Sequence, residues 1–193
     1  MYRIIVVLSV VLSCAVGDRI KAAPLSRVKT IAQAMNPENI IDSMDSTLGW
    51  SNYGEKGARV NLSSAKGKYG QSLKVSYDMV DGGWVAITKN VNRDLSSAKR
   101  IRFWVKGEGS ANSLEIKLED FKQTNYGYVL KFKSNIGAWM VVDIPISKFE
   151  YWWGSNKSLN FKNVKSIHFA ISKKDGDQGG SGKVYLDQLE MDR

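Results

Sequence analysis

The sequence predicts an all-β domain, a two-sheet antiparallel sandwich of the jelly-roll type. Two observations carry this prediction. Apolar and polar residues alternate over many short segments, as in strands with one face in the core and the other in water. These segments recur about every ten residues, and runs rich in Gly, Ser, Asn and Asp, which favour turns, separate them.

Residues 1–17 have the anatomy of a secretory signal peptide. Arg3 precedes an apolar run, 4–13, that is about half of the ~20 residues needed to span a bilayer. Two processing sites compete: residues 15–17 (AVG) suit ordinary signal peptidase, whereas residues 11–14 (VLSC) resemble a bacterial lipobox in which Cys14 is lipidated. Both routes predict export, to a secreted or periplasmic protein or, with lipidated Cys14, to a cell-surface lipoprotein.

Residues 18–38 are predicted to form a short helix or a flexible tether outside the main domain. The apolar residues of 28–35 follow the three-and-four spacing of an amphipathic helix, and Pro37 ends it. From Asn39 the pattern changes to period two, so the sandwich is predicted to span 39–193. Because Cys14 is the single cysteine, this domain has no disulfide framework.

About eight to ten strands are predicted within the sandwich. In segment 100–106 (RIRFWVK), Ile101, Phe103 and Val105 are assigned to the inner face and the residues between them to the outer face. The other predicted strands are 72–78, 84–89, 113–120, 126–132, 139–146, 166–172 and 183–191.

The charge pattern gives no specific indication of an anionic partner. The formal net charge is +9, but the lysines are scattered singly along the chain and form no basic arm. We interpret them as the solvated faces of strands. Nucleic acid is therefore a disfavoured partner, and an anionic polymer ranks below neutral ligands.

The chain has few of the parts that enzymes use. His168 is its one histidine, and no metalloprotease, nucleophile-elbow, P-loop or dinucleotide motif occurs. Glu115, Glu119 and Asp120 are candidates for the carboxylate pair of a glycosidase. However, Glu115 and Glu119 alternate with Lys117 on a regular strand, which is typical of a salt-linked outer face. The sequence therefore predicts a binding protein and not an enzyme.

Six successive segments resemble known galactose-binding-like β-sandwiches: 39–50, 68–89, 95–109, 114–120, 137–149 and 182–191. Their order and spacing resemble the family 11 carbohydrate-binding modules and the related complex I intermediate-associated protein 30 domains. The first resemblance implies polysaccharide binding on a concave sheet face, usually beside a glycoside hydrolase. The second implies a protein-interaction or assembly factor, which is the alternative function.

The resemblance also implies a structural calcium site. In such modules a carboxylate near the first strand meets an aspartate of the last strand, and backbone carbonyls complete the site. The matching positions are Asp42 or Asp45 in IIDSMDS and Asp187 in VYLDQL. Calcium prefers six to eight oxygen ligands and would pin the two ends of the domain together.

A cluster of rings follows the segment 139–149, whose Trp139 and Phe149 we assign to the core. Tyr151, Trp152 and Trp153 lead into a polar loop, and three consecutive rings cannot all point inward. Exposed rings suit stacking on the apolar face of a sugar, so we predict binding of a β-glucan or related plant or microbial polysaccharide. The predicted ligand-binding residues are Trp84, Trp104, Lys117, Glu119, Tyr126, Tyr128, Tyr151, Trp152, Trp153 and His168.

Overall fold

The computed structural model describes residues 37–79 and 81–193. The predicted signal peptide, Cys14 and the predicted tether up to residue 36 lie outside these ranges. The described residues form twelve strands and three short 3-10 turns, which confirms the all-β prediction. Within this part of the chain, no helix has the length and apolar character to cross a membrane.

The strands cover most of the described residues, and the turns are Pro37–Asn39, Ile146–Lys148 and Phe161–Asn163. The strands are β1 (Ile40–Asp42), β2 (Trp50–Gly54), β3 (Arg59–Lys66), β4 (Gln71–Met79), β5 (Trp84–Arg93), β6 (Arg100–Gly109), β7 (Ser113–Asp120), β8 (Asn125–Lys133), β9 (Met140–Pro145), β10 (Glu150–Trp153), β11 (Val164–Ser172) and β12 (Gly180–Asp192).

The strands form two antiparallel sheets, as predicted, but each sheet has six strands, so the total exceeds the eight to ten expected. The back sheet has the order β3-β4-β12-β6-β9, and β1 also pairs with β12. The front sheet has the order β10-β8-β7-β11-β5-β2. In both sheets strands that are distant in sequence become neighbours, so residues from separate segments share one face.

The core lies between the sheets and follows the predicted alternation. On β6, Ile101, Phe103 and Val105 are buried, and β7 buries its own alternate residues in the same way. Phe103 meets Phe169 of the front sheet edge to face, with ring centroids 5.0 Å apart. Such aromatic pairs contribute beyond the apolar area that they bury. The two sheets are therefore joined by rings at the centre of the sandwich.

Trp139 differs from its predicted place in the core. Met140 pairs with Val105, whose side chain points inward. Because successive side chains alternate between faces, Trp139 falls on the outer side of the back sheet, where its ring lies 6.4 Å from that of Tyr185. Phe149 is buried as predicted.

Candidate functional site

A groove of about 440 Å³ runs across the outer face of the front sheet. Tyr53 and Trp84 form its first wall, and Trp152 and Trp153 form its second wall. The two walls come from opposite edges of the sheet, β2 with β5 on one side and β10 on the other. The groove therefore crosses the strands between them.

Small side chains give the groove its depth. Ala86 of β5 lies opposite Ala170 of β11, and Ala170 lies opposite Glu115 of β7. The ring of Tyr53 belongs to the same row, because Tyr53 pairs with Ala86. The other residues of this cross-strand row are large. Because Ala86 and Ala170 are neighbours in the row, the floor of the groove lies below its walls.

The first wall is a perpendicular pair of rings. The centroids of Tyr53 and Trp84 are 5.7 Å apart, with an interplanar angle of 77°. Tyr53 is 38% exposed and Trp84 is 37% exposed. An edge-to-face pair of this kind is a favoured aromatic geometry, and it leaves part of both rings open to the groove.

The second wall is a pair of stacked indoles. The rings of Trp152 and Trp153 are 5.8 Å apart and inclined by only 24°. Consecutive residues of a regular strand point to opposite faces, but the register with β8 shifts between Tyr151 and Trp153. This irregularity brings both indoles to the groove.

Gly127 of β8 makes room for the second wall. A Cβ atom at this position would lie 2.4 Å from ring atoms of Trp152, which is far inside contact distance. The indole can therefore cover the strand only because residue 127 has no side chain. Tyr151, a predicted ligand-binding residue, lies away from the groove, because it pairs with Tyr126 and packs against that ring with centroids 5.9 Å apart.

Strand β7 supplies alternating hydrogen-bonding groups to the floor. Glu115 accepts from Ser172 Oγ at 2.7 Å and pairs with Lys174 Nζ at 2.7 Å. The Lys117 ammonium lies 4.8 Å from the ring centroid of Trp153. Burial lowers the pKa of Lys117, and the charges of Glu119 and Glu115 oppose that shift. The strand thus presents an acceptor, a donor and a second acceptor in sequence.

His168 lies in the floor beside Lys117, with which it pairs across β11 and β7. Its Nδ1 is 2.9 Å from the Tyr53 hydroxyl, and its Nε2 is 3.1 Å from Glu119 Oε2. Burial lowers the pKa of His168 from 6.5 to about 3, and the charges of Lys117 and Lys165 act in the same direction. The imidazole is therefore uncharged at neutral pH.

A second, more polar hollow of about 320 Å³ adjoins the groove. The two hollows share Lys117 and Trp153. Asn125 and Ser155 line the far side of the polar hollow. Trp153 therefore stands between two spaces that a long ligand could occupy together.

Some predicted site residues lie away from the groove. Trp104 is on the outer face of the back sheet, 5.9 Å from the ring of Tyr69 and beneath the Lys68 ammonium at 4.9 Å. Tyr126 and Tyr128 pair with Leu118 and Ile116, whose side chains face the core. These two tyrosines therefore pack against the core, because they alternate with Gly127 on the other face. The predicted residues that line the groove are Trp84, Lys117, Trp152, Trp153 and His168, while Glu119 contacts His168 and lines the polar hollow.

Sequence reasoning missed Tyr53, Ala86 and Ala170. The segment that contains Tyr53, WSNYG, is short and polar and was not predicted as a strand. The two alanines could not be recognised as site residues by their chemistry, because their role is to leave space above the floor of the groove. On the predicted strand 84–89, residues 84, 86 and 88 share the outer face. This alternation could have placed Ala86 on the floor of the groove.

Two of the predicted metal ligands lie beside the same β3–β4 connection, at the opposite side of the domain. Asp187 Oδ2 accepts from Tyr69 N at 2.9 Å, and Asp45 Oδ1 accepts from Gln71 N at 3.1 Å. Burial raises the pKa of Asp187, and the charge of Asp45 adds to the rise. Asp42 is instead engaged by an ion pair with Lys89. In the described ranges no three His, Cys, Asp or Glu side chains gather as a metal site.

The fold and the groove together define a class of protein. An antiparallel sandwich with facing aromatic walls above a floor of small and hydrogen-bonding side chains is the architecture of a carbohydrate-binding module. Residues 27–192 match the carbohydrate binding domain (family 11). The chain belongs to this family.

Individual relatives agree with the family. Endoglucanase H of Acetivibrio thermocellus is 27% identical over 166 residues, which are 80% of this chain and 18% of that enzyme. A family 11 module from Clostridium thermocellum, solved with a β-1,3-1,4-mixed-linked tetrasaccharide, has a TM-score of 0.67 at 24% identity and covers 79% of this chain and 94% of its own. An exo-β-agarase has a TM-score of 0.55 at 11% identity, over 80% of this chain and 25% of its own. The two structures share the fold, and this chain spans less than a fifth of the endoglucanase.

The low pKa of His168 predicts acid sensitivity of the fold. Below pH 6.5 the unfolded chain takes up a proton at this histidine, whereas the folded protein does not until about pH 3. Stability should therefore decrease as the pH is lowered between these values, and the equilibrium constant for unfolding should rise by up to about tenfold per pH unit. Denaturant unfolding at several pH values should show a shallower fall for His168→Asn than for the wild type, and equal slopes would contradict the prediction.

Proposed function

We propose that this protein binds a β-glucan or a related polysaccharide in the groove of the front sheet, without catalysis. The facing aromatic walls carry the proposal. A pyranose ring has an apolar C–H face, and covering roughly 80 Å² of it contributes about 2 kcal/mol at ~25 cal/mol/Å². Two walls and a few hydrogen bonds reach micromolar to millimolar affinity, about −4 to −8 kcal/mol.

The polar floor supports a neutral ligand. The hydroxyl groups of a sugar both donate and accept, and the sequence Glu115, Lys117, Glu119 offers acceptor, donor and acceptor. An anionic sugar over Lys117 would face two carboxylates on the same strand. This arrangement favours a neutral glycan over an acidic one.

The carboxylates of the groove are better suited to binding than to hydrolysis. Glu115 is held by Lys174 and Ser172, and Glu119 is held by His168 and Lys165, with Lys165 Nζ at 3.7 Å. Both carboxylates are already engaged by neighbouring side chains, whereas a glycosidase needs an acid and a base that both face the glycosidic bond. The related module with bound mixed-linked tetrasaccharide and the related endoglucanase support a binding module that acts beside a glycoside hydrolase.

Removal of one indole tests the proposed function. We expect Trp153→Ala to weaken binding to a neutral β-glucan by about 30-fold, because one stacking platform of about 2 kcal/mol is lost. The measurement is affinity electrophoresis in gels that contain neutral β-glucans, xylan, an acidic polysaccharide or no polymer. Trp104→Ala is the matched control, since it removes an indole from the opposite face of the sandwich.

The outcomes separate the candidate functions. Retardation by a neutral glycan that is lost in Trp153→Ala but kept in Trp104→Ala, and that changes little with salt, supports the proposal. Retardation only by the acidic polymer, falling steeply with salt, would replace it with anionic-polymer binding. Failure of every polymer to retard the folded wild type would sink the proposal and direct the search to protein partners.

We also propose a structural calcium site formed by Asp45 and Asp187. The Oδ1 atom of Asp187 is buried without a hydrogen-bond partner among the described residues, and such an orphaned carboxylate oxygen suits a hard cation. The residues 67–71 of the β3–β4 turn, which already donate backbone N–H groups to both carboxylates, would supply carbonyl oxygens. Bound calcium would offset the burial of Asp187 and the repulsion between its charge and that of Asp45, and it would join the turn to β12.

Calcium should stabilise the wild type and leave Asp187→Asn unchanged. At a calcium concentration about 100-fold above Kd, we expect a rise in Tm of about 5 °C or more. Thermal unfolding with calcium or with a chelator measures this response. Asp42→Asn is the control, because its ion pair with Lys89 should affect stability but not the calcium response. Equal Tm values with and without calcium in the wild type would refute the site.

We further propose that the protein is exported, on the strength of the residue pattern of 1–17. The mature chain should begin at Asp18 after ordinary cleavage, or at a lipidated Cys14 at the cell surface. Intact-mass measurement on fractionated cells distinguishes these two products. A full-length chain that begins at Met1 and stays inside the cell would contradict export.

A further inference from the structure

Three side chains from separate strands form a continuous chain of hydrogen bonds beneath the groove. The Tyr53 hydroxyl lies 2.9 Å from His168 Nδ1, and His168 Nε2 lies 3.1 Å from Glu119 Oε2. Ser166 Oγ is also 2.9 Å from Nε2. The chain joins β2, β11 and β7, and it connects the first wall of the groove to the floor.

The direction of each proton follows from the chemistry of the groups. An ionised carboxylate can only accept, so the hydrogen between His168 and Glu119 belongs to Nε2. A neutral imidazole then has a lone pair at Nδ1, and the Tyr53 hydroxyl must donate to it. Glu119 thus fixes the tautomer of His168, and the tautomer fixes the direction of the Tyr53 hydroxyl.

Tyr53 needs such support because of its place in the sheet. It lies on β2, an edge strand of five residues that pairs only with β5 in the described structure. It pairs with Ala86, whose methyl group is too small to hold the ring in place. Apart from His168, the ring contact that restrains it is the edge-to-face contact with Trp84. Without the hydrogen bond to His168, the Tyr53 ring would be free to rotate before a ligand binds. Binding would then remove this freedom, which lowers the affinity.

We propose that His168 is a positioning residue, which acts on the glycan through Tyr53 by holding that ring in its binding orientation. The inference rests on the proposed polysaccharide binding. His168 itself is 8% exposed and offers little surface to a ligand. The Tyr53 hydroxyl, which gives its hydrogen to His168, presents only an acceptor to the groove and would therefore accept from a sugar hydroxyl.

The single histidine of the chain allows a direct test in the free protein. In ¹⁵N-labelled, tag-free protein the two ring-nitrogen signals need no assignment, because His168 is the one histidine. We expect a protonated Nε2 and an unprotonated Nδ1 that do not titrate between pH 8 and pH 5. In Tyr53→Phe, the Nδ1 signal should move toward that of a nitrogen without a hydrogen bond. A ring with its hydrogen on Nδ1, or one that titrates near pH 6.5, would overturn the relay.

A double-mutant cycle tests the effect on binding. With a soluble mixed-linked β-glucan as the probe, His168→Ala and Tyr53→Phe should each weaken binding by about tenfold, and the double variant should be no weaker than either one. His168→Asn keeps an acceptor for the Tyr53 hydroxyl and should stay within about threefold of the wild type. Thermal unfolding of every variant confirms that the folded fraction is the same.

Other outcomes would overturn the proposal. Additive losses would mean that His168 contacts the sugar itself. An unchanged affinity in folded His168→Ala would mean that the residue only supports the fold. A wild type that binds no glucan would remove the proposed function and this role with it, while the nitrogen spectrum would still show whether the hydrogen bonds exist.

Discussion

The antiparallel register of the front sheet is the constraint on which the site depends. It sets Lys117 of β7 opposite His168 of β11, and His168 opposite Thr88 of β5. A slip of one residue would exchange the faces of a strand, sending its charges into the core and its apolar residues into the groove. The packing of the core between the two sheets thus also determines which side chains reach the ligand.

The polar groups of the groove are held in different ways. His168 is uncharged because it is buried near lysines, whereas Glu115 and Glu119 form ion pairs with Lys174 and Lys165. A polar floor of this kind satisfies its own groups before a ligand arrives. Binding then depends on the aromatic walls, and the polar groups select among the sugars that fit between them.

The fold alone would not have identified this site. The exo-β-agarase shares the sandwich at 11% identity, and a fold of this type supports many ligands and activities. The site of this chain depends on a few residues on the outer face of the front sheet. Gly127 admits Trp152, the irregular pairing of β10 turns Trp153 to the same side, and Ala170 keeps the floor low.

The sequence by itself determined most strands and their inner faces, because the alternation of apolar and polar residues is a local property of each segment. It also required at least one of Tyr151, Trp152 and Trp153 to lie outside the core, since three adjacent rings cannot all be buried. Only the tertiary structure decided that Trp104 and Trp153 lie on opposite sheets, because a strand's pattern does not say which sheet it joins. Tyr53 and His168 are 115 residues apart, and no local pattern could have joined them. Their contact exists because β2 and β11 both pair with β5.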